Sequence, residues 1–386
     1  MDRLLFELIL EDLKKKMVFL GGPRQCGKTH LAKEVLKSSQ SNNYFNWDSP
    51  DDRKIILAQK WSKEKLIALD EIHKYPKWKN FVKGIYDTQK EFHNFLITGS
   101  ARLDVYKRGG DSILGRYHYW RLHPFTLNEM PKKISIEEGF ERLMRVGGFP
   151  EPFLDGSDTT ARRWRKERFN LILREDIQDL ERVNEPQNIS LLVDLLKTRV
   201  GSLIVVSNLA RDLQVAPNTV KRWIEILERM YLIFTVKPYT EKLSRAISKP
   251  FKVYFFDNAD VEGDEGAIFE NLVASHLLKK IQFLEDSQGY RMELNFIRDK
   301  EGREIDFVIT KDKKLESLIE AKWSDDEVSK NLVYYSERLK PKNSLQLVGN
   351  LKREYKKNKL EVLSAKKYLS EMRFVGTPVG SKLRLS

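Results

Sequence analysis

The sequence predicts an α/β protein that begins with a parallel sheet and contains several domains. Three observations support this fold class. A glycine-rich segment, residues 22–29, lies between an apolar run and a helical pattern, and the apolar run 66–69 ends in two acids. Unbroken apolar runs are typical of central strands in parallel sheets, and ligands bind at the carboxyl ends of such strands. In the last third of the chain, three strand-like runs joined by turns form a meander.

The composition limits the class of protein. A chain of 386 residues is too long to fold around one ordinary hydrophobic core, so several domains are expected. Its content of 41% hydrophobic residues is typical of globular proteins. No apolar run approaches the ~18 residues that cross a bilayer. The single cysteine, Cys26, excludes an internal disulfide framework and favours a cytoplasmic location. The net charge of +13 favours a polyanionic partner, nucleic acid first, although basic proteins are often merely basic.

An amphipathic helix is expected over residues 1–16, because apolar residues recur there at helical spacing. The glycine-rich segment that follows has the pattern G-x-x-x-x-G-K-T between a strand and a helix. Loops of this pattern cradle a triphosphate with inward-pointing N–H groups. We expect Lys28 against the β- and γ-phosphates of ATP and the Thr29 hydroxyl on Mg²⁺. The predicted nucleotide-binding residues are Gly22, Gln25, Cys26, Gly27, Lys28, Thr29 and His30.

Two acids end the apolar strand 66–69. We expect Asp70 to hold the Mg²⁺ shell and Glu71 to orient and polarise the attacking water, as a hydrolase requires. Upstream, residues 44–48 predict another strand, ended by a turn at 49–52.

The next predicted strand, residues 92–100, ends in small polar residues. Ser100, or Thr98 if the register is shifted, can hydrogen-bond the γ-phosphate or the lytic water. The alternative is that these groups cap the next helix. Arg116 precedes the strand-like segment 117–122. An arginine there can reach the γ-phosphate of a neighbouring subunit, although by itself it would be an ordinary surface arginine.

Several motifs occur in one order along nearly the whole chain. They are GPRQ at 22–25, LDEIHK at 69–74, Trp78 with IYD at 85–87, LITGS at 96–100, LGR at 114–116 and GGFPE at 147–151. In this order they resemble a family of prokaryotic AAA+-type ATPases that have a poorly characterised C-terminal domain. The resemblance implies a five-stranded parallel αβα core, an ATP-sensing strand at 98–100 and an arginine finger at Arg116. A finger of this kind implies a homo-oligomer with ATP sites at subunit interfaces.

The resemblance also implies a helical lid over residues 127–180, in which Arg142 or Arg145 senses the nucleotide. His73 stands where the family more often has glutamine, and His30 where threonine or serine is usual. Neither departure removes a group that hydrolysis needs.

From residue 188 the pattern predicts three helices and a hairpin. Pro217 lies at a helix start, apolar residues follow at i, i+4 and i+7, and a strand pair comes next, which is typical of a winged helix-turn-helix. Such modules bind DNA or dock proteins. The residues expected at the major groove or phosphates are Asn218, Thr219, Lys221 and Arg222. Further phosphate-compatible charge, or only a solvated face, is expected at Lys242, Arg245, Lys249 and Lys252.

Three strand-like runs, residues 294–298, 304–310 and 315–322, follow a helix at 266–274. Their period of two places Glu304 and Asp306 on one face, and Glu320 and Lys322 on one face of the next strand. We expect Asp306 to lie beside the Glu320–Lys322 pair because the strands are neighbours. The alternative for that pair is an exposed ion pair that contributes little.

An acid followed by Glu-x-Lys on the next strand resembles the PD-(D/E)XK phosphodiesterases, and Glu270 matches the additional acid on their first helix. The resemblance implies that Asp306, Glu320 and Glu270 hold Mg²⁺ as oxygen ligands. It also implies that Lys322 orients or deprotonates water and stabilises the phosphate. Folds of this kind also bind DNA without cutting it.

Four domains are therefore expected: a P-loop AAA+ core at 1–126, a helical lid at 127–186, a winged helix-turn-helix at 187–245 and a restriction-endonuclease-like α/β domain at 246–386. The leading hypothesis is a DNA-binding ATPase with a Mg²⁺-dependent nuclease-like domain that cleaves or remodels DNA. The alternatives are an ATP-dependent switch that docks a protein and cuts nothing, and a DNA-binding transcriptional regulator.

Overall fold

The structure is a computed structural model that describes residues 3–99, 113–173, 186–240, 250–324 and 327–374. The chain divides into two compact units. The first comprises the described residues up to His123, with Asp286–Gln288 and Phe374; the second comprises Pro124–Glu285 and Gly289–Arg373. Among the described residues, no helix has the length and apolar character needed to cross a membrane.

The first unit is built on a five-stranded sheet. Its strands are β1 (Met17–Gly21), β2 (Tyr44–Asn46), β3 (Leu66–Asp70), β4 (Asn94–Thr98) and β5 (Tyr117–Arg121). They lie in the order β2-β3-β4-β1-β5, and every neighbouring pair is parallel. The predicted five-stranded parallel core is therefore confirmed. Its helices are α1 (Leu5–Leu13), α2 (Lys28–Ser38), α3 (Pro50–Ala58) and α4 (Trp78–Gln89).

The central strands β1 and β3 are buried at every position, as expected for strands covered on both faces. Phe19, Leu69 and Phe95 belong to one hydrophobic cluster on this sheet. Asp70 and Thr98 are paired across β3 and β4. The buried strands therefore bring their carboxyl ends, and the polar residues there, together at one edge.

The turn predicted at residues 49–52 is instead the start of helix α3. The Ser49 hydroxyl accepts a hydrogen bond from the N–H of Asp52, Pro50 is the first helical residue, and Asp51 lies in the first turn. These features stabilise a helix N-terminus.

The second unit contains a nine-stranded mixed sheet. Its strands are β6 (Leu203–Ile204), β7 (Ile233–Pro238), β8 (Phe251–Phe255), β9 (Met292–Arg298), β10 (Glu304–Lys311), β11 (Lys314–Lys322), β12 (Asn343–Val348), β13 (Tyr355–Lys357) and β14 (Leu360–Ser364). Their order is β13-β14-β12-β11-β10-β9-β7-β8-β6. The predicted meander corresponds to the antiparallel strands β9, β10 and β11. The α/β fold class, with a parallel core and a C-terminal mixed sheet, is confirmed.

The helices of this unit come before, between and after the strands, and the last of them to precede β9 belongs to it only as far as Glu285. They are α5 (Ile136–Arg145), α6 (Pro150–Asp155), α7 (Asp158–Leu171), α8 (Pro186–Lys197), α9 (Val206–Asp212), α10 (Pro217–Arg229), α11 (Glu265–Gln288), α12 (Lys330–Leu339) and α13 (Ala365–Ser370).

The sheet continues across the boundary predicted between residues 245 and 246. Strands β7 and β8 form an antiparallel pair, and β7 also pairs in parallel with β9. The segment expected to be a lid also contacts the C-terminal third of the chain. The Phe140 ring of α5 stacks on the Trp323 ring, with 6.3 Å between the ring centroids. The four-domain division stays a prediction.

Candidate functional site

The glycine-rich loop joins β1 to α2 with backbone angles that favour glycine. Gly22 and Gly27 have φ values of +142° and +98°. A Cβ atom at Gly22 would lie 2.3 Å from the carbonyl oxygen of Leu122, a distance that excludes any side chain. Cys26 is fully buried, with its Sγ 3.6 Å from the same carbonyl. The cysteine therefore packs the loop against the residue that follows β5.

The Lys28 side chain lies inside this loop. It is 6% exposed, and its Nζ donates to the carbonyl oxygens of Gly22 at 3.0 Å and Pro23 at 2.6 Å. Anionic phosphate oxygens accept stronger hydrogen bonds than neutral carbonyls do. The ammonium group is thus held at the loop by acceptors that a polyphosphate can replace.

Three hydroxyl groups fix the Asp70 carboxylate at the carboxyl end of β3. Thr29 Oγ1 donates to Oδ2 at 2.8 Å, Tyr44 donates to the same oxygen at 2.6 Å, and Thr98 Oγ1 donates to Oδ1 at 2.5 Å. Asp70 is only 3% exposed. A carboxylate and a threonine hydroxyl at this place offer the hard oxygen ligands that suit Mg²⁺ bound together with phosphates.

Glu71 follows Asp70 in the left-handed backbone region, with φ +57°. Burial raises the pKa of Glu71 to about 6, although Lys28 and Lys74 act in the opposite direction. Its Oε2 lies 3.5 Å from His73 Nε2 and 3.9 Å from Lys74 Nζ. Non-glycine residues with positive φ are often found at functional sites. The carboxylate is ionised at neutral pH, and its raised basicity suits a group that polarises water.

Two contacts at this edge are absent from the sequence prediction. Tyr44 reaches Asp70 because β2 pairs with β3, and Lys74 Nζ lies 2.6 Å from Asp48 while it approaches Glu71. Strand order, which local patterns do not show, brings these groups together.

The predicted arginine finger is held within the first unit. Arg116 donates from Nε and Nη2 to the two carboxylate oxygens of Asp87 on α4, at 2.7 and 3.0 Å. The Arg116 side chain is 32% exposed, so a role in trans requires its release from Asp87. Ser100 lies outside the described residues.

The two arginines implied to sense nucleotide make contacts inside the second unit. Arg142 Nη1 donates to the carbonyl oxygens of Phe153 and Leu154 at 2.8 and 3.0 Å. Arg145 pairs with Asp158. These contacts join α5 to the segments that follow it, and the sensing role stays a prediction.

The helix pair α9–α10 presents most of the residues expected to meet DNA. Asn218, Lys221 and Arg222 are exposed and Thr219 is half-buried. The opposite face of α10 is buried, with Trp223 at its centre. Of the downstream basic residues, Lys242, Arg245 and Lys249 lie outside the described residues.

In the C-terminal sheet, Asp306 and the Glu-x-Lys pair lie side by side. Phe307 pairs with Ile319 across β10 and β11, so Asp306 faces Glu320 one position away. The Ala321 N–H donates to Asp306 Oδ2 at 2.9 Å, and Lys322 Nζ lies 3.0 Å from Glu320 Oε1. Burial, together with the Asp306 charge, raises the pKa of Glu320 to about 8.

Lys252, expected on a basic surface, is instead buried among these acids. It lies on β8, is 1% exposed, and its Nζ is 2.5 Å from Glu304, 3.3 Å from Glu270 and 3.6 Å from Asp306. Burial alone lowers the pKa of a lysine, but the three carboxylates outweigh it and raise the pKa of Lys252. The Tyr254 hydroxyl also donates to Glu270 at 2.6 Å.

These contacts do not fit the magnesium site expected from Glu270, Asp306 and Glu320. Among the described residues, no three acids, histidines or cysteines come together as metal ligands. Glu270 is directed to Lys252, and each oxygen of Asp306 already has a partner. Oε2 of Glu320 is buried without a hydrogen-bond partner in the described part of the chain. A lysine ammonium thus lies beside two of the three expected ligands, Glu270 and Asp306, and the magnesium-binding role of the three acids stays a prediction.

Three family models match consecutive parts of the chain. An AAA domain matches residues 14–131, and domains of unknown function match residues 137–259 (DUF8612) and 265–368 (DUF4143). The predicted combination of an AAA domain with a poorly characterised C-terminal domain is confirmed.

Curated relatives are uncharacterized proteins. Rv2008c of Mycobacterium tuberculosis is 25% identical over 244 residues, which cover 62% of this chain and 54% of the relative. MJ1637 of Methanocaldococcus jannaschii is 24% identical over 333 residues, with 69% of each chain covered. The chain thus spans about half the length of the mycobacterial relative.

Solved structures with similarity to the chain include the Walker-type ATPase paby2304 of Pyrococcus abyssi. It is 16% identical, with a TM-score of 0.39, and the alignment covers 66% of this chain and 93% of that one. The ORC1 protein of Aeropyrum pernix, in complex with DNA, is 14% identical with a TM-score of 0.34, covering 71% and 91%.

Proposed function

We propose that the AAA domain of this chain hydrolyses ATP and that the chain binds DNA, with a C-terminal domain that grips rather than cuts. The observation that supports hydrolysis is the Asp70 carboxylate, fixed by three hydroxyls beside Glu71. Loop N–H groups and Lys28 bind the phosphates, and Thr29 with Asp70 holds Mg²⁺. Mg²⁺ supplies charge neutralisation on the phosphate oxygens. Glu71 orients and polarises the water.

The nucleotide step is tested by titration of the purified chain with ATP and Mg²⁺. The wild-type protein binds and hydrolyses ATP, whereas Lys28→Ala loses binding because it removes the charge that faces the phosphates. Equal ATP affinity of the two proteins would overturn this part of the proposal.

For DNA binding we propose a winged helix-turn-helix in which α10 meets the duplex. Support comes from the exposed side chains Asn218, Lys221 and Arg222 on α10, the adjoining β7–β8 pair and the net charge of +13. Protein docking is the second candidate, favoured by the exposed apolar residues Leu191 and Val205, 54% and 37% accessible.

Salt dependence separates these two candidates. Each lost phosphate contact lowers the slope of log K against log salt by about 0.9. Lys221→Ala/Arg222→Ala should therefore lower the slope of DNA binding by up to about 2, whereas Lys313→Ala/Lys314→Ala, which removes the same charge from the exposed β10–β11 turn, should not. Absence of DNA binding in the wild-type chain would favour protein docking.

We also propose that the chain acts as a homo-oligomer in which Arg116 completes the ATP site of a neighbour. Arg116→Ala and Lys28→Ala proteins are each inactive alone under this proposal. Mixing them restores turnover, because one subunit supplies the arginine and the other the intact loop. Mixtures that stay inactive would contradict action in trans.

A further inference from the structure

The carboxylate cluster of the C-terminal sheet contains a lysine that no part of the ATPase or DNA-binding proposals uses. Lys252 Nζ lies within 3.6 Å of Glu270, Glu304 and Asp306. An ammonium group has three donors and no acceptor, which matches three carboxylate neighbours. The same side chain approaches the Phe296 ring at 5.7 Å, so its charge is enclosed by acids and an aromatic face.

The acids around Lys252 come from parts of the chain that the sheet order separates. Glu304 and Asp306 lie on β10, Glu270 lies on α11, and Lys252 lies on β8, with β9 and β7 between β10 and β8. One ammonium therefore joins the hairpin β7–β8 to the strand and helix that bear the acids. Removal of one partner from a buried ion pair strongly destabilises the folded protein, because the remaining charge is left uncompensated.

A divalent cation at the same place would need the oxygens that Lys252 already holds. Oxygen ligands lie about 2.1 Å from Mg²⁺, and a second cation in this space would face the lysine charge at short range. The second carboxylate oxygen of Glu304 lies 2.7 Å from Arg298 Nη1, so both oxygens of this acid already have a cationic partner. Partners of the acids are thus lysine, arginine and tyrosine groups of the chain itself.

We propose that Lys252 is the resident cation of this cluster, so that the chain maintains the cluster without a divalent metal. The cluster then serves as a charged brace that attaches the β7–β8 hairpin to the C-terminal sheet, and the nuclease-like residues Asp306, Glu320 and Lys322 form no metal-dependent cleavage site. This inference is independent of the ATP hydrolysis proposed for Asp70 and Glu71, which belong to the other unit.

Two measurements with Mn²⁺ as the probe test the proposal in nucleotide-free full-length protein. Bound Mn²⁺ is measured by electron paramagnetic resonance, and thermal unfolding is followed in EDTA and in Mn²⁺. All proteins have Asp70→Asn, which removes the carboxylate expected to hold metal at the ATP site. The variants in this background are Lys252→Met, Asp306→Asn, the combination of these two changes, and the control Lys279→Met.

Lys279 is a matched control because it is also a buried, paired lysine. It is 7% exposed, and its Nζ donates to Glu129 and to Thr126 Oγ1. Loss of Lys279 leaves one acid without its cation, whereas loss of Lys252 leaves the negative charges of three neighbouring acids without theirs. Any non-specific stabilisation by Mn²⁺ affects both variants alike.

The parent protein is expected to hold no Mn²⁺ at the cluster. Lys252→Met is expected to unfold at a lower temperature in EDTA, to bind about one Mn²⁺ per chain and to regain stability with it. Lys279→Met is expected to lose stability without recovery in Mn²⁺. Asp306→Asn added to Lys252→Met should abolish the new binding.

Bound Mn²⁺ in the parent that is lost with Asp306→Asn would overturn the proposal, and this measurement does not depend on the folding of Lys252→Met. Equal Mn²⁺ responses of Lys252→Met and Lys279→Met would overturn it as well. A further outcome is that Lys252→Met folds in Mn²⁺ and aggregates in EDTA, whereas Lys279→Met behaves in the same way in both solutions. The metal has then replaced the lysine, and the proposal is supported.

Discussion

The raised pKa of Glu71 gives a pH dependence of ATP hydrolysis that can be calculated from the structure. Burial moves this pKa from 4.5 to about 6, which corresponds to about 2 kcal/mol against the charged form. The water-polarising role proposed for Glu71 needs the ionised carboxylate, so activity should be retained above the pKa and lost as the pH falls through it. In the free enzyme, kcat/KM should be half-maximal near pH 6 and, one unit below, about tenfold lower than its plateau at high pH.

Removal of the positive charge of Lys74 tests whether the pKa of Glu71 governs this pH dependence. Its Nζ lies 3.9 Å from Glu71 Oε2 and favours the charged carboxylate, so Lys74→Met should move the midpoint of kcat/KM upward by about 1 pH unit. Lys77→Met, which removes the same charge from an exposed neighbour, should leave the midpoint in place. The assay is steady-state phosphate release in buffers of constant ionic strength, measured from about pH 4.5 to about pH 8. The lowest pH of this range lies within ~1 unit of the ordinary pKa of glutamate.

Two results would refute this reasoning. One is a wild-type acidic limb near the ordinary glutamate pKa of 4.5, since burial would then not govern the group that titrates. The other is an equal shift in Lys74→Met and Lys77→Met, which would indicate a general effect of net charge.

Two further predictions concern other positions. Tyr44→Phe removes one donor from Asp70, a hydrogen bond to a charged group worth at least about 1.5 kcal/mol; kcat should fall about tenfold with ATP affinity unchanged, and an unaltered kcat would contradict the role of Tyr44. Gly147→Ala should lower the free energy of unfolding in urea by more than about 2 kcal/mol, because φ is +81° and the new Cβ would lie 1.8 Å from Asp257 Oδ1. Gly289→Ala, at φ +71° with open space around it, should cost only about 1 kcal/mol, and equal losses would exclude the clash as the cause.

Local patterns in the sequence were sufficient for the loop, the acidic strand end and the antiparallel meander. The Gly22–Thr29 loop combines a fixed spacing with a strand before it and a helix after it, and each of these is visible within a few residues. The adjacency of Asp306 and Glu320 follows from the period of two and a short turn, because these fix the register of neighbouring strands.

The contacts that were not predicted depend on strand order or on burial at long range. Tyr44 reaches Asp70 through the β2–β3 pairing. Lys252 stands between Phe251 and Val253 in an otherwise apolar strand, and only the fold shows that three acids surround it. The Ser49–Pro50 start of α3 contained readable capping signals, but the same residue types also favour turns.

The role proposed for Asp70 and Glu71 in ATP hydrolysis is tested most directly by Glu71→Gln. The substitution preserves the shape of the side chain and removes the charge that polarises water. We expect ATP affinity, measured by titration with Mg²⁺ present, to stay close to that of the wild-type protein, while turnover falls by at least about 100-fold. Turnover equal to that of the wild-type protein would contradict the proposed mechanism.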